Sequence, residues 1–261
     1  KADNIRYIQS VLNIGFDSMV FLDDNPAERE MVRQNVPEVT VPELPEDPAF
    51  YVQHLVKLNL FETTSYSSED SKRTKQYQAE AERKKLSFST TNMDDYLQSL
   101  EMQGTIEPFL PKDFPRVAQL SQRSNQFNLR TVRYSEADIE KMANSDNYLT
   151  YSVRLKDRFG DYGLVSIVIV GIKDGQSAFV DTWIMSCRVL KRGLEFATVN
   201  KVVEDLKERG IEKFEGEYLK TAKNKLVSQL LPDFGFSSNG QENKYQLKVS
   251  EFKPHKHHIK L

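Results

Sequence analysis

The sequence predicts an α/β (α+β) protein in which a mixed β-sheet is flanked by helices and preceded by a smaller α/β segment and a charged helical bridge. Three observations carry this reading. From Met102 onward the apolar and alternating runs fall in the order β-α-α-β-β-β-α-β-α-β-β. Three of those strands, between 148 and 186, are joined by hairpin turns, which a doubly wound parallel sheet with its crossovers does not allow. Ahead of them, Ser18-Met-Val-Phe-Leu-Asp-Asp24 is an apolar run ending in two carboxylates, the texture of a buried strand.

Residues 3–13 place Ile5, Ile8, Val11 and Leu12 on one helical face, and Gly15 closes that helix. After the strand at 18–24, Asn25-Pro26 begins a turn, with Pro26 at the first position of a helix that runs to Gln34. Residues 38–41 are a short strand. Pro42, Pro45 and Pro48 punctuate the link to a helical stretch over 48–62. Residues 69–86 predict a helix whose interspersed Glu and Lys form a solvated face. Residues 92–100 are a short helix with Asn92, Asp94 or Asp95 near its cap. These divisions give a first unit over 1–61, a helical bridge over 62–98, a second unit over 99–252 and a polar tail over 253–261.

In the second unit 103–110 is a strand, and 113–123 a helix with Val117, Ala118 and Leu120 facing inward. Residues 122–130 are an amide-rich loop. Ser135 caps the next helix, with Asp138 in the capping-box position. Residues 148–155 alternate as a strand, and Asp157 to Gly163 is a turn with two glycines. Strands at 164–172 and 176–186 follow, then a helix over 194–209. A strand at 212–218, a helix at 222–231, a strand start at 234–236 and a final strand at 244–252 complete the order.

Hydrophobic content of 39% and charged content of 28% over 261 residues fit a soluble globular chain of one large or two small domains. A net charge of −2 argues against a general nucleic-acid binder, and no apolar run approaches the roughly 18 residues needed to span a membrane. One cysteine excludes an internal disulfide framework and suits a reducing cytoplasm. The histidines of the tail read as part of a frayed polar end rather than a metal site. The chain opens on Lys1, already inside a helical pattern, which points to a segment of a longer protein.

The candidate chemistry gathers at 181–195. An apolar strand runs into the basic turn Arg188-Val-Leu-Lys191-Arg192-Gly193 and then a helix. Backbone N–H groups and a positive helix end meet there, making either an anion site or an ordinary solvated corner. Cys187, at the strand end, is the candidate nucleophile for a thioester, since neighbouring cations and a helix start lower a thiol's pKa. Its other reading is a small buried hydrophobe. Asp181 orients Cys187 or a base if it points inward, and is merely solvated if it points out. Asn125, Gln126 and Asn128 offer amides that orient a hydroxylated acyl chain or satisfy their own loop. Glu217 and Tyr218 are further acid–base candidates. Asp23 and Asp24 are placed either for a magnesium ion or as part of a turn and cap.

Lys1, followed by Asp23-Asp-Asn-Pro-Ala-Glu-Arg-Glu30, resembles the third and fourth motifs of the haloacid-dehalogenase (HAD) superfamily. The resemblance implies that Lys1 steadies a phosphate and that Asp23 and Asp24 hold Mg2+. No Asp-x-Asp-x-Thr nucleophile motif occurs, so no phosphatase activity is expected of this chain alone. The strand order from Met102, with Asn224 and Phe234-Gly235-Phe236, resembles the GNAT acyltransferase fold. In that family the turn after the fourth strand cradles a pantetheine pyrophosphate and a late asparagine lies along the pantetheine arm. Arg188, Lys191, Arg192, Gly193 and Asn224 are the residues this implies. Lys191 stands where the family has a glycine, which moves the expectation from acetyl-CoA toward a carrier protein.

Both halves together are similar to FkbH-like proteins (HAD subfamily IIIC), on stretches at 21–30, 122–129, 157–164, 186–193 and 216–224. That similarity implies transfer of a short hydroxyacyl (glyceryl-type) group from an acyl phosphate, formed from a bisphosphoglycerate, through an enzyme thioester. The acceptor is the pantetheine of an acyl carrier protein, in polyketide-type biosynthesis. The alternative is a non-catalytic GNAT-like module that docks a carrier protein or subunit for an upstream HAD phosphatase site. A plain acetyl-CoA acetyltransferase is a third reading.

Overall fold

The computed structural model describes residues 1–12, 14–62, 73–90, 92–123 and 126–261. They form two compact units, Lys1–Thr90 and Thr91–Leu261. The boundary falls inside the expected 62–98 bridge, so that stretch is shared between the units.

The first unit contains α1 (Ala2–Leu12), α2 (Pro26–Asn35), α3 (Tyr51–Lys57) and α4 (Arg73–Ser89), and a small core lies between α1, α2 and the chain around them. Ala2, Ile5, Val32, Val36 and Val39 form it, with Phe16, Met19 and Phe21 packed against it. The α2 start is as expected: Pro26 opens the helix, and the Asn25 side chain accepts from the Ala27 N–H at 2.9 Å. The expected strands at 18–24 and 38–41 are corrected. Phe16–Ser18 is a 3-10 turn, and Val20 and Thr40 meet in a single parallel bridge. The helix expected over 48–62 is a 3-10 turn at Pro48–Phe50 followed by α3. A left-handed φ of 51° at Asn59 takes the chain out of the helical direction.

In the second unit, α5 (Met93–Ser99), capped by Asn92, precedes the sheet. The strands are β1 (Gln103–Glu107), β2 (Tyr148–Asp157), β3 (Gly160–Ile172), β4 (Ser177–Met185), β5 (Lys213–Glu217), β6 (Ser237–Ser238) and β7 (Lys244–Lys248). They form one sheet in the order β1-β2-β3-β4-β5-β7-β6, antiparallel throughout except for the parallel β4–β5 pair. This is the mixed sheet expected from the sequence. On one face α6 (Phe114–Arg123) and α7 (Glu136–Ala143) place Phe114, Val117 and Ile139 against Ile167, Ile169 and Ile184. The α7 start carries the expected Ser135–Asp138 capping box. Trp183 points to the opposite face from Ile184, as strand alternation requires. Its ring lies 4.9 Å from Phe234, which in turn meets Phe196 of α8 (Leu194–Glu208).

Three further expectations are corrected. The helix at 222–231 is a 3-10 turn (Lys225–Val227) and the short α9 (Leu230–Asp233). Thr221 and Asn224 exchange side-chain-to-backbone bonds (2.7 and 3.2 Å) that compete with helical pairing. The strand start moves from 234–236 to Ser237, because Phe234 ends α9 and Gly235 takes a φ of 88°. The tail is not frayed. Asn200 bonds both backbone groups of His255 at 2.8 Å, and His255 stacks on Phe196. Ile259 is buried, and Lys260 pairs by its backbone with Met102 and Gly104 at the β1 edge. An apolar residue and an unpaired strand edge give this segment a place to dock.

Candidate functional site

The parallel pairing of β4 and β5 lasts for three residue pairs, ending at Phe179 and Glu215. Beyond that the strands diverge, and the described part of the amide-rich loop fills the notch. Asn128 makes an antiparallel bridge to Ile184, and Met185 N–H donates to Phe127 O at 3.3 Å. On the other side Leu219 N–H donates to Leu129 O at 2.9 Å. Residues 127–129 therefore act as a short inserted strand. The Asn128 side chain is 1% exposed and accepts from Thr131 N–H (2.8 Å) and Arg130 N–H (3.3 Å), so it forms the turn that carries the loop away. Gln126 is exposed, and Asn125 lies outside the described residues.

A β-bulge lies where Asp181 sits. Val180 pairs with Val170 and Thr182 with Ile169, which leaves Asp181 as the extra residue on β4. Its Oδ1 accepts from Tyr134 Oη at 2.5 Å and from Thr182 Oγ1 at 3.0 Å. Arg130 lies 3.6 Å from its Oδ2, donates to its backbone carbonyl at 3.2 Å, and reaches Glu217 Oε2 with Nε at 3.2 Å. Burial first, and the Asp181 carboxylate second, push the Tyr134 phenol up, so it is a hydrogen-bond donor at neutral pH. Four extended steps, about 13 Å, separate Asp181 from Met185 at the end of the strand, and its described partners are Tyr134, Thr182 and Arg130. Arg130 and Tyr134 were not visible as partners in the sequence, because both come from a segment some 50 positions earlier.

Past β4, Ser186 N–H donates to Val165 O at 2.7 Å, and Cys187–Val189 is a 3-10 turn. The side chain of Cys187 lies outside the described residues. Arg188 donates its backbone N–H and its Nε to Ser186 Oγ at 3.4 and 3.3 Å. Lys191 is exposed and holds a left-handed φ of 61°, the conformation a glycine takes at no steric cost. Gly193, at φ 77°, leads directly into α8.

Arg192 departs from expectation. It is 6% exposed, with its NH1 3.1 Å from Asp157 Oδ2 and its guanidinium 4.8 Å from the Tyr162 ring centre. Asp157 also accepts from Phe159 N–H, Gly160 N–H and Tyr162 Oη. Arg192 thus clamps the turn to the β2–β3 hairpin instead of facing a ligand phosphate.

Asn224 departs likewise. It is 0% exposed; its amide donates to Asn128 O and Leu219 O at 2.9 Å, and its Oδ1 accepts from Thr221 N–H at 2.7 Å. It ties the inserted loop to the chain after β5. With the notch filled and Asn224 saturated, these residues do not accommodate a pantetheine arm between β4 and β5. Arg188, Lys191 and Gly193 remain beside the Cys187 turn.

In the first unit Lys1 Nζ contacts Asp23 Oδ2, which brings together two of the residues expected to act on phosphate and metal. The Lys1 amine, then the Asn25 N–H, hold the Asp23 carboxyl below the usual carboxylate range. Arg29, 6% exposed, donates to the carbonyls of Asp23 and Asp24 at 2.8 and 3.0 Å and to Glu43 at 2.8 Å. It fixes the loop that carries both acids, a role the sequence motif did not reveal. Among the described residues no group of three His, Cys, Asp or Glu side chains is placed to hold a metal ion. With Asp23 ion-paired to Lys1, these residues do not by themselves make a magnesium site.

No family model and no curated protein matches the chain. Among solved structures, the chain is 74% identical to the N-terminal part of the protein BF1531 from Bacteroides fragilis, described as containing a phosphatase domain complexed with Mg. The match covers 25% of this chain and 18% of that one, with a TM-score of 0.25, so the chain spans less than a fifth of that structure. It is 18% identical to the ribosomal-protein-S18-alanine N-acetyltransferase from Escherichia coli, over 56% of this chain and 94% of that one, with a TM-score of 0.42. It is 15% identical to the GNAT domain of S. lividans PAT, over 56% and 90%, with a TM-score of 0.44.

Proposed function

We propose that the second unit is an acyltransferase whose reacting group is Cys187. It takes a short hydroxyacyl group from an acyl phosphate and passes it on to an acyl carrier protein. The observation that carries this reading is the pairing of the 126–128 loop with Ile184 and Met185. It brings the amide loop to the strand end that leads into Cys187. In the first step the thiolate attacks the acyl carbon, the C–S bond forms, the acyl C–O bond breaks, and phosphate leaves with the electron pair. Arg188, Lys191 and the start of α8 favour both the thiolate and the departing anion. Exposed Gln126 supplies an amide at the same end of the sheet for a hydroxyl on the acyl group. The first unit fits a phosphate-handling role of HAD type, supported by the Lys1–Asp23 contact.

Intact-mass spectrometry of the full-length protein with the acyl phosphate tests this. A single acyl adduct is expected, mapping to Cys187 and absent from Cys187→Ser. An adduct of the same yield in Cys187→Ser overturns it. The filled notch between β4 and β5 favours a second reading, a non-catalytic module that docks a carrier protein. Carrier binding without any adduct would select that one.

A further inference from the structure

At the β1 edge of the sheet, with two strands between it and β4, a cavity of about 340 Å³ opens among β1, β2 and the last residues of the chain. The register pairs Gln103 with Lys156 and Thr105 with Arg154, so these four side chains share one face. Asp161 and Lys260 complete the polar lining. The wall is built rather than incidental. Gly104 N–H donates to Lys260 O at 2.9 Å, and Lys260 N–H to Met102 O at 3.0 Å. A Cβ on Gly104 would meet Ile259 Cγ2 at 2.9 Å and Leu261 Cδ2 at 3.2 Å, so the closing segment needs a glycine there.

Apart from Asp161, the polar side chains around this cavity are all able to donate. The Asp161 carboxylate is taken up by the Gly163 N–H at 2.7 Å, and Arg154 is charge-balanced by Asp113 at 2.6 Å. Among the described residues neither Lys156 nor Lys260 is ion-paired. Asp161 faces Lys156 across the β2–β3 ladder and offsets part of this charge, but the two ammonium groups still leave the lining net positive, and with the flanking amide, hydroxyl and guanidinium they match an anion with several acceptor oxygens. We propose that this cavity binds the phosphate group of a small phosphorylated molecule. Lys156 and Lys260 balance the charge, while Gln103, Thr105 and Arg154 donate to its oxygens. The volume lies near the lower end of the roughly 300–1,000 Å³ range of small-molecule sites, which suits a ligand of a few carbons.

The test titrates inorganic phosphate into the full chain, with acetate at matched ionic strength as the control, followed by calorimetry and by amide NMR shifts. The site predicts saturable phosphate binding, with shifts centred on 103–105 and 154–156. Lys156→Gln or Lys260→Gln weakens it about tenfold, which is about 1.4 kcal/mol. Gly104→Ala, which displaces the wall without removing a charge, weakens it as well while the circular dichroism spectrum is unchanged. The proposal is overturned if no saturable shift appears at these strands, if acetate binds as tightly as phosphate, or if all three variants bind phosphate like the parent. Cys187→Ser leaves this titration unaltered, so it stands or falls apart from the acyltransfer reading.

Discussion

Asp181 on β4 and Glu217 on β5 occupy matching positions, two residues past the last parallel pair, and the Arg130 guanidinium stands between them. Two carboxylates that share one guanidinium would repel without it. Arg130 is the tie that lets the strands part without leaving that repulsion. Arg130→Met is expected to destabilise the protein by about 2 kcal/mol, the scale of hydrogen bonds to charged groups. Urea denaturation measures it. Adding Glu217→Gln to Arg130→Met should recover part of the loss. A loss within about 0.5 kcal/mol, the range of an ordinary surface change, would show that the bridge is idle.

The Arg192–Asp157 pair is the more deeply buried tie, with side chains 7% and 0% exposed. Removing the guanidinium leaves Asp157 charged with its side chain fully buried. Arg192→Met is expected to cost about 3–5 kcal/mol. The double variant Arg192→Met/Asp157→Asn should be more stable than Arg192→Met alone. Guanidinium chloride unfolding of all three proteins gives the comparison, and equal midpoints for the single and double variants would contradict it.

Asn224 joins three backbone segments through one amide. Asn224→Ala removes the bonds of its amide to the Asn128 and Leu219 carbonyls and to the Thr221 N–H in a buried site. A loss of roughly 2–3 kcal/mol is expected. Asn224→Asp should not rescue it, because a carboxylate accepts where two donors are required. Hydrogen exchange at Leu219, whose N–H bonds the inserted loop, should accelerate in both variants. Unchanged exchange there would mean that the loop is held by its pairing with β4 alone.

What was legible in the sequence was local. The Ser135–Asp138 capping box, the Asn25 and Asn92 caps, and the glycine-bearing turns between β2, β3 and β4 are decided within a few residues, and all formed. The strand order followed from them. What was not legible depends on distant partners. Arg192 lies in a basic run that reads as an anion site or a solvated corner, and only the fold brings Asp157 from 35 positions away. Asn224 carries a family motif, yet its amide is engaged by a loop 96 positions earlier. The tail looked polar because Ile259 and Leu261 are the few apolar side chains among lysines and histidines, too few for any periodicity. At 222–231 the helical pattern was real, but the Thr221–Asn224 side chains offered the backbone another set of bonds.

Glu195 gives a pH signature. It lies in the first turn of α8, mostly buried, and its Oε2 has no hydrogen-bond partner among the described residues. Burial above all pushes its carboxyl up, and the nearby Asp233 adds to the shift, partly opposed by a backbone N–H. The folded state therefore holds this proton more tightly than the unfolded chain does. Below the unfolded value, about 4.3, both states are protonated and the group costs nothing. As pH rises past that value the unfolded chain ionises first, and stability falls until the folded carboxyl has also ionised. Glu195→Gln, which stays neutral, should match the parent in melting temperature near pH 4 and exceed it near pH 7.5. Asp233→Asn should shift the parent in the same direction by less. A melting-temperature gap between Glu195→Gln and the parent that is the same at both pH values would show that the carboxyl ionises with its ordinary affinity, and that the stability difference comes from packing.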